Sequence, residues 1–587
     1  MPTVGLGCMR LSTRPDRDDD RSIAVIRAAL DAGATLLDTS DAYCLDESET
    51  GHNERLIARA LDGWAGDRSR ITVATKGGMR RPKGAWLSDG RAKHLRDACD
   101  ASRRALGVDT IDLYQLHVVD PKTPIETSVR ALAKLQSEGK IRAIGLCNVT
   151  VNQIAAVREI APIASVQISL SPFDDENLRN GVAEYVKDSP IRLIAHRPLG
   201  GDRIKQLAKN KALVAIATKH AASPAEIVLA WLMSLPADLT PIPGATTIEH
   251  ALSVGRALSI ELDDHDRPAI DALFSGRLLR VSRAVRRPRI PTGADVVVVM
   301  GMPGAGKTSL ARELEVEGYA RLNRDTLGGS LADLAPRLAE LLDAGQKRVV
   351  LDNTYPTRAS RNEIIETAWE HGATVRCVWL QTDVPNAQIN SIHRMLEAHG
   401  SLPSPEIIRD RGKADPRYLL PDAQFRYERT LEPPTMDEGF ESVEVRSFVR
   451  KPSSASGRAI IVDFDELTGD RLSVVQRYHD DGWKIFAHAW RPQIAKHELS
   501  TDDVEQSFAR FRESFSGEIE IAYCPHDAGP PICWCRKPIP GSVIDFAARH
   551  DVALERSIVV GASAADRTMA ERVGATFEPV ETIIAGD

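Results

Sequence analysis

No apolar run in the 587 residues is long enough to cross a bilayer as a helix. The first residues, MPTVGLGCMRLS, lack the charged-then-apolar pattern of a secretory signal. The expectation is a cytoplasmic protein with no membrane partner. Cysteine is scarce, and eight in so long a chain do not frame a disulfide-built fold. Cys8, Cys44, Cys99, Cys147 and Cys377 are scattered, whereas Cys524, Cys533 and Cys535 cluster around His526. An excess of positive charge is also missing. The net charge of -7 excludes a polycation, so any nucleic-acid contact has to come from a local basic surface. No segment repeats another. The length excludes a single hydrophobic core and predicts about three or four domains. What is there is ordinary globular composition, 43% hydrophobic and 27% charged.

Residues 1–275 alternate short β-rich runs (TLLDTS, ITVATK, IDLYQLH, IRAIGLCN, ASVQIS, IRLIAHRP) with amphipathic helical runs. This βα repetition predicts a (β/α)8 TIM barrel. Residues 276–294 carry Arg277, Arg280, Arg283, Arg286, Arg287 and Arg289 with no acidic partner between them. They read either as a solvated linker or as a strap that touches nucleic acid. A second α/β domain spans 295–450. KPSSASG, 451–457, is a polar, small-residue linker, and a third α/β domain fills 458–587.

Barrels of this class place their chemistry at the C-terminal ends of the strands. Asp38 ends TLLD, Tyr43 follows it, Lys76 ends ITVATK and His117 ends IDLYQLH. Together they suit carbonyl reduction. A tyrosine is a poor acid near neutral pH unless a cation stabilises its phenolate, a task for Lys76 held by Asp38, while His117 orients the carbonyl oxygen. With GLGCMRLS, LLDTSDAY, GHNE, ATK, LYQLH, IGLCN and PIPGA, the domain resembles the aldo-keto reductase family over essentially its whole length. The resemblance implies an aldehyde or ketone substrate and a nicotinamide cofactor, with Asn148 and Gln167 as cofactor contacts. Leu170 and Ser171 stand where the family has a nicotinamide-stacking tyrosine and an asparagine. Thr247 stands near the place of an arginine that reads the 2'-phosphate. The cofactor is therefore NADP(H) or NAD(H). A barrel kept as a cofactor-sensing binding module is the alternative to catalysis.

GMPGAGKT, 301–308, follows the apolar run VVVVM and fits a phosphate-binding loop. Gly301, Gly304 and Gly306 let backbone N–H groups turn toward phosphate oxygens at a helix N-terminus. Lys307 would reach the β- and γ-phosphates of ATP, Thr308 would hold Mg2+, and Ser309 and Asp352 complete the expected nucleotide site. Asp325, after the short run RLN, is placed to accept the proton of an attacking hydroxyl. Arg394 is a candidate lid arginine. GMPGAGKTS, NRDTLG and LDNTYPTRASR together resemble the polynucleotide 5'-kinases over most of 295–450. The resemblance implies that Asp325 is the general base for a 5'-OH, and that Arg358, Arg361 and Arg394 contact phosphate. A small-molecule P-loop kinase is the alternative, since such enzymes share much of this frame.

In the third domain, AIIVDFDEL places Asp463 and Asp465 just after an apolar strand. The first suits attack on phosphorus and the second protonation of a leaving group. Lys537 in CRKP supplies a cation, and Asp566 in SIVVGASAAD a carboxylate. These segments resemble the haloacid dehalogenase (HAD) superfamily, which includes polynucleotide 3'-phosphatases. The resemblance implies a Rossmann-like α/β fold, Mg2+ at Asp463 and Asp566, and Zn2+ held by Cys524, His526, Cys533 and Cys535. Glu466 adds negative charge beside the phosphate site, Ala489 replaces a second-strand hydroxyl, and Ala562 replaces a metal carboxylate. An active phosphatase and a fold kept for docking or end recognition both remain open. Taken together, the three domains predict a multifunctional enzyme that heals RNA or DNA 5' ends ahead of a ligase. The reductase would act on an aldehyde at a damaged end.

Overall fold

The structure is a computed structural model that describes residues 3–274, 276, 279, 290–527, 529 and 532–582. The six arginines of the basic linker lie outside the described residues. Contacts divide the chain into two compact units. One is Met1–Arg287 with Thr357–Glu363 and Asp437–Gly439, and the other holds the remainder. Among the described residues no single helix is long and apolar enough to cross a membrane.

The first unit is built on eight parallel strands: β1 Gly5–Gly7, β2 Leu36–Asp38, β3 Thr72–Gly77, β4 Ile111–Leu116, β5 Ile141–Cys147, β6 Ile163–Ser169, β7 Arg192–His196 and β8 Leu239–Ile242. They follow one another in chain order. The barrel closes where the Gly7 N–H donates to the Pro243 carbonyl at 3.0 Å and Gly7 bridges to Gly244. A Cβ on Gly7 would sit 2.9 Å from the Ile242 carbonyl, so the closing strand needs glycine there. Leu36, Ala74, Leu113, Ile194 and Ile242 fill the barrel centre, which is packed core rather than a pore. The strands are largely buried, and Asp38 and Lys76 lie at or next to the C-terminal ends of β2 and β3.

The second unit holds two parallel sheets. The strands β9 Asp295–Met300, β10 Ala320–Leu322, β11 Arg348–Asp352, β12 Thr374–Gln381 and β13 Ser442–Ser447 are ordered β10-β11-β9-β12-β13. The strands β14 Ala459–Asp463, β15 Lys484–Trp490, β16 Ile519–Cys524, β17 Ile558–Gly561 and β18 Thr576–Pro579 are ordered β16-β15-β14-β17-β18. In both sheets the first strand in sequence is central and the chain continues on both sides of it, with β11 inserted between β9 and β10 in the first sheet. That leaves a crevice at the strand's C-terminal end, where open α/β sheets bind ligands. The phosphate-binding loop follows β9, and Asp463 ends β14. The third segment is thus an α/β domain built on a parallel sheet.

Candidate functional sites

At the top of the barrel the four predicted residues come together. The Lys76 ammonium donates to Asp38 Oδ1 at 2.6 Å, to the Thr39 carbonyl at 2.9 Å and to the Tyr43 hydroxyl at 3.1 Å. Burial works against the Lys76 charge, yet Asp38 and Tyr43 beside it hold its pKa above the ordinary lysine value. Burial also pushes the Tyr43 phenol up, and Lys76 opposes that shift. The His117 ring meets the Tyr43 ring edge-on at 5.7 Å between centroids, and burial keeps it neutral. Its Nδ1 lies 3.2 Å from Ser40 Oγ. A carbonyl oxygen between Tyr43 and His117 would meet one proton donor and one neutral imidazole.

The expected cofactor residues are placed unequally. Asn148 is exposed at the rim with φ at 54°, its Oδ1 3.0 Å from His196 Nε2. Gln167 is buried and donates to Asp38 Oδ1 at 2.7 Å, so it orients the carboxylate that holds Lys76. Leu170 and Ser171 are buried, Leu170 within the barrel's hydrophobic core. The Thr247 hydroxyl accepts from the His250 N–H at 3.2 Å and caps the helix Ile248–Arg256. His196 and Trp86 were not anticipated. Trp86 is 45% exposed, and the Arg81 guanidinium lies 3.8 Å from its ring centroid. His196 ends β7 as Asp38 ends β2, whereas Trp86 lies in a loop that no spacing in the sequence connects to the tetrad.

In the second domain the loop Gly301–Gly306 turns into helix α1, Lys307–Val316, with Gly306 in the left-handed region as its N-cap. The Lys307 ammonium donates to the Gly301 and Met302 carbonyls, each at 2.9 Å. Burial pushes its pKa down to about 8, partly offset by Asp352. The Thr308 hydroxyl donates to Asp352 Oδ2 at 3.1 Å, which is the pairing a Mg2+ site requires, and Ser309 lies exposed on the same turn. The motifs NRDTLG and LDNT are laced together. Asn323 Nδ2 donates to the Asp352 carbonyl at 2.5 Å, and the Arg324 N–H donates to Asn353 Oδ1 at 3.0 Å. This lacing presents Asp325 as a partly exposed carboxylate, 3.0 Å from Arg324 Nη2. Asp325 acts electrostatically on both Lys307 and Arg394.

Arg394 lies on helix α2, Val384–His399, which also grips the phosphate-binding loop. Asn390 Nδ2 donates to the Gly304 carbonyl at 2.8 Å. A Cβ on Gly304 would lie 2.3 Å from the Ala387 carbonyl, and its φ of +89° is itself strained for any other residue. Gly304→Ala is therefore expected to weaken ATP binding by more than about ten-fold, read by calorimetric titration of the full chain.

Arg358 and Arg361 correct the expectation drawn from the polynucleotide-kinase resemblance. Arg361 is fully buried and makes two hydrogen bonds of 2.7 Å to the equally buried Glu438, while Arg358 is buried and pairs with Asp437. Both are committed to carboxylates rather than open to a substrate phosphate. Long-range pairing with residues far along the chain is invisible in the motif. Arg361→Ala would remove both 2.7 Å bonds from the buried Glu438 carboxylate and is expected to destabilise this region by about 3–5 kcal/mol, measured by denaturant unfolding.

In the third domain Lys537 Nζ bridges Asp463 Oδ2 at 2.5 Å and Asp566 Oδ1 at 2.6 Å. Burial opposes the Asp566 charge, but Lys537 holds its pKa below the usual carboxylate value. Asp465 is engaged by both ends of the Arg491 guanidinium, at 2.6 and 2.9 Å, and Glu466 by Arg471. Ala489 is buried and Ala562 exposed, neither offering a ligand. His488, unremarked in the sequence, is buried with Nε2 2.8 Å from the Cys535 carbonyl. The ligand atoms of Cys524, His526, Cys533 and Cys535 all lie within 4.8 Å of one another. Three sulfurs and one imidazole nitrogen so gathered fit a tetrahedral Zn2+.

Residues 3–274 match the aldo/keto reductase family model, and residues 296–402 match an AAA domain model. Among solved structures, a thermostable aldo-keto reductase is 25% identical, with 46% of this chain and 95% of that chain covered and a TM-score of 0.40. An aldo-keto reductase from a Medee basin deep-sea metagenome library is 28% identical over 47% of this chain and 92% of its own, with a TM-score of 0.39. The glycerol dehydrogenase of Gluconobacter oxydans is 27% identical over 49% and 94%, with a TM-score of 0.40. The family match and the barrel agree: the N-terminal part of this chain is an aldo-keto reductase domain, and a P-loop kinase-like domain follows it.

Proposed function

We propose that this fusion of an aldo-keto reductase domain with a P-loop kinase-like domain transfers the γ-phosphate of ATP to the 5'-hydroxyl of a polynucleotide end. The observation that supports transfer, beyond nucleotide binding, is the placement of Asp325. It is an accessible carboxylate on a strand-end turn, within electrostatic reach of Lys307 and Arg394. The attacking hydroxyl gives its proton to Asp325 as its oxygen bonds to phosphorus and ADP leaves. Thr308 and Asp352 would hold Mg2+ against the β- and γ-phosphates. Arg324, exposed beside Asp325, offers a cation to a phosphate of the acceptor strand.

The reductase domain would take an aldehyde or ketone at Tyr43 and His117, with NADP(H) or NAD(H) supplying hydride. Asn148 would meet the cofactor, and Gln167 would keep Asp38 on Lys76. An aldehyde produced by strand damage is the substrate that would give this fusion a common purpose. In the third, HAD-like domain, Asp463 and Asp566 would share Mg2+ only by giving up contacts to Lys537. Asp465 would protonate a leaving group only by leaving Arg491. These commitments favour a domain that docks or recognises ends over a working 3'-phosphatase.

The deciding experiment is transfer of labelled γ-phosphate from ATP to 5'-OH RNA and DNA oligonucleotides, with NAD(P)H oxidation followed on aldehyde-terminated oligonucleotides and on free aldehydes. Labelling of either strand supports the reading, and the ratio identifies the substrate. Bound ATP without labelling would transfer the reading to a small-molecule acceptor.

A further inference from the structure

Helix α2 has two working faces. One carries Asn390 on the Gly304 carbonyl and Ser391 Oγ, which accepts from Gln424 Nε2 at 3.0 Å; the same amide donates to the Pro303 carbonyl at 3.1 Å. This face holds the phosphate-binding loop and carries Arg394. The other face contributes Ile392 and Met395 to an apolar cluster with Tyr418 and with Trp534, Ile539 and Ile544 of the third domain. Trp534 is its largest member and is 1% exposed. Its indole N–H donates to the Leu419 carbonyl at 2.7 Å, so the ring is held in one orientation. Polar ties flank it: the Leu402 N–H donates to Asp545 at 3.2 Å, and Arg572 to Gln388 at 3.2 Å.

Trp534 is also the residue between Cys533 and Cys535, two of the four gathered ligands. The backbone that presents the indole is therefore the backbone a bound metal would clamp. On its other side the Cys535 carbonyl contacts His488 of β15. We propose that the third domain serves as a metal-fixed brace for phosphoryl transfer, with Trp534 as a positioning residue that holds α2, and through it Arg394 and the phosphate-binding loop, in the transfer-competent arrangement. This rests on reading the four Cys and His residues as a Zn2+ site and the second domain as a kinase. It explains why a phosphatase-like domain with committed carboxylates is joined to a kinase: its surface, rather than its own carboxylates, does the work. A tetrahedral metal would tie the backbone on either side of Trp534 to Cys524 and His526, adding a fixed anchor to the hydrogen bonds that already hold the ring. Small displacements of α2 would misplace Arg394, and misplacement on the ångström scale costs orders of magnitude in rate.

The test is hydrogen exchange in the full chain, read over residues 301–308 and 384–399, together with ATP affinity and phosphoryl-transfer kcat. Trp534→Leu removes the ring and Trp534→Phe keeps most of it while removing the indole donor. Trp483→Leu, at a tryptophan of the same domain whose ring centroid lies 4.5 Å beneath the Arg458 guanidinium, is the control. Exchange over 384–399 is expected to rise at least about ten-fold in Trp534→Leu, less in Trp534→Phe and not at all in Trp483→Leu, with kcat falling in the same order. Wild type stripped of zinc, verified by metal analysis and assayed with Mg2+ restored, is expected to match Trp534→Leu and to recover on Zn2+ addition. NAD(P)H-dependent reduction should be unchanged throughout. Unaltered exchange over 384–399 in Trp534→Leu, or in the stripped protein, overturns the proposal. If no oligonucleotide is labelled by wild type, the kinase reading fails separately, and exchange and ATP affinity still decide the brace.

Discussion

Asp325→Ala is expected to lower γ-phosphate transfer to 5'-OH oligonucleotides by about 10²–10⁴-fold while leaving ATP affinity within about three-fold of wild type. The reason lies in how the residue is held. Its neighbours Asn323 and Arg324 carry the structural load, through the Asp352 carbonyl and Asn353, so the turn survives loss of the Asp325 side chain. Asp325 itself is accessible, and its carboxylate pairs with Arg324. What disappears is the acceptor for the hydroxyl's proton and the negative charge facing Lys307 and Arg394. Rate-limiting chemistry makes this a kcat effect, measured by single-turnover labelling. Asp325→Asn should fall equally far, because an amide fills the space but takes no proton. A large rise in the dissociation constant for ATP with an unchanged transfer rate at saturation would instead make Asp325 a binding residue.

Tyr43→Phe is expected to lower NAD(P)H-dependent carbonyl reduction by about 10²–10⁴-fold. It deletes one oxygen from a packed site and leaves the Asp38–Lys76 pair whole. Replacing Lys76 would be a poorer test, since Asp38 would remain buried without its partner and stability would fall by about 3–5 kcal/mol. Cofactor affinity, measured by fluorescence titration, should stay the same. The pH dependence carries a sign. Burial raises the Tyr43 pKa above its ordinary value, so the phenol keeps its proton through neutral and mildly alkaline pH. Wild-type reduction should therefore persist as pH rises past 7, and a basic limb should appear only where Lys76 or Tyr43 loses a proton. Equal activity of Tyr43→Phe would turn the barrel into a cofactor-sensing module.

The most legible parts of the chain were those in which local chemistry and strand ends coincide. VVVVM reads as the buried strand that a glycine-rich phosphate loop requires before it, and it forms β9. The same logic placed Asp38, Lys76 and His117 at the ends of barrel strands, and folding brought Lys76 within bonding range of Asp38 and Tyr43 and set His117 edge-on to Tyr43. Arg361 was less legible. A motif states that an arginine lies near a phosphate-binding domain, not that Glu438 waits 77 residues later to bury it. Gln167 shows a milder form of the same limit, since its bond to Asp38 spans 129 residues.

The sequence alone determined the α/β character of all three segments, the barrel, the phosphate-binding loop and the clustering of Cys524, His526, Cys533 and Cys535. Periodicity, glycine and ligand spacing act over a few residues, and a linear chain displays them directly. Only the tertiary structure decided which charges are open and which are spent. Asp325 keeps a partly exposed carboxylate beside Arg324 while Arg361, Lys537 and Asp465 are held by their partners, and Trp534 turns out to face α2. Those outcomes depend on partners brought together by packing from distant segments, where the dense interior admits one arrangement and burial makes an unpaired charge too costly to keep.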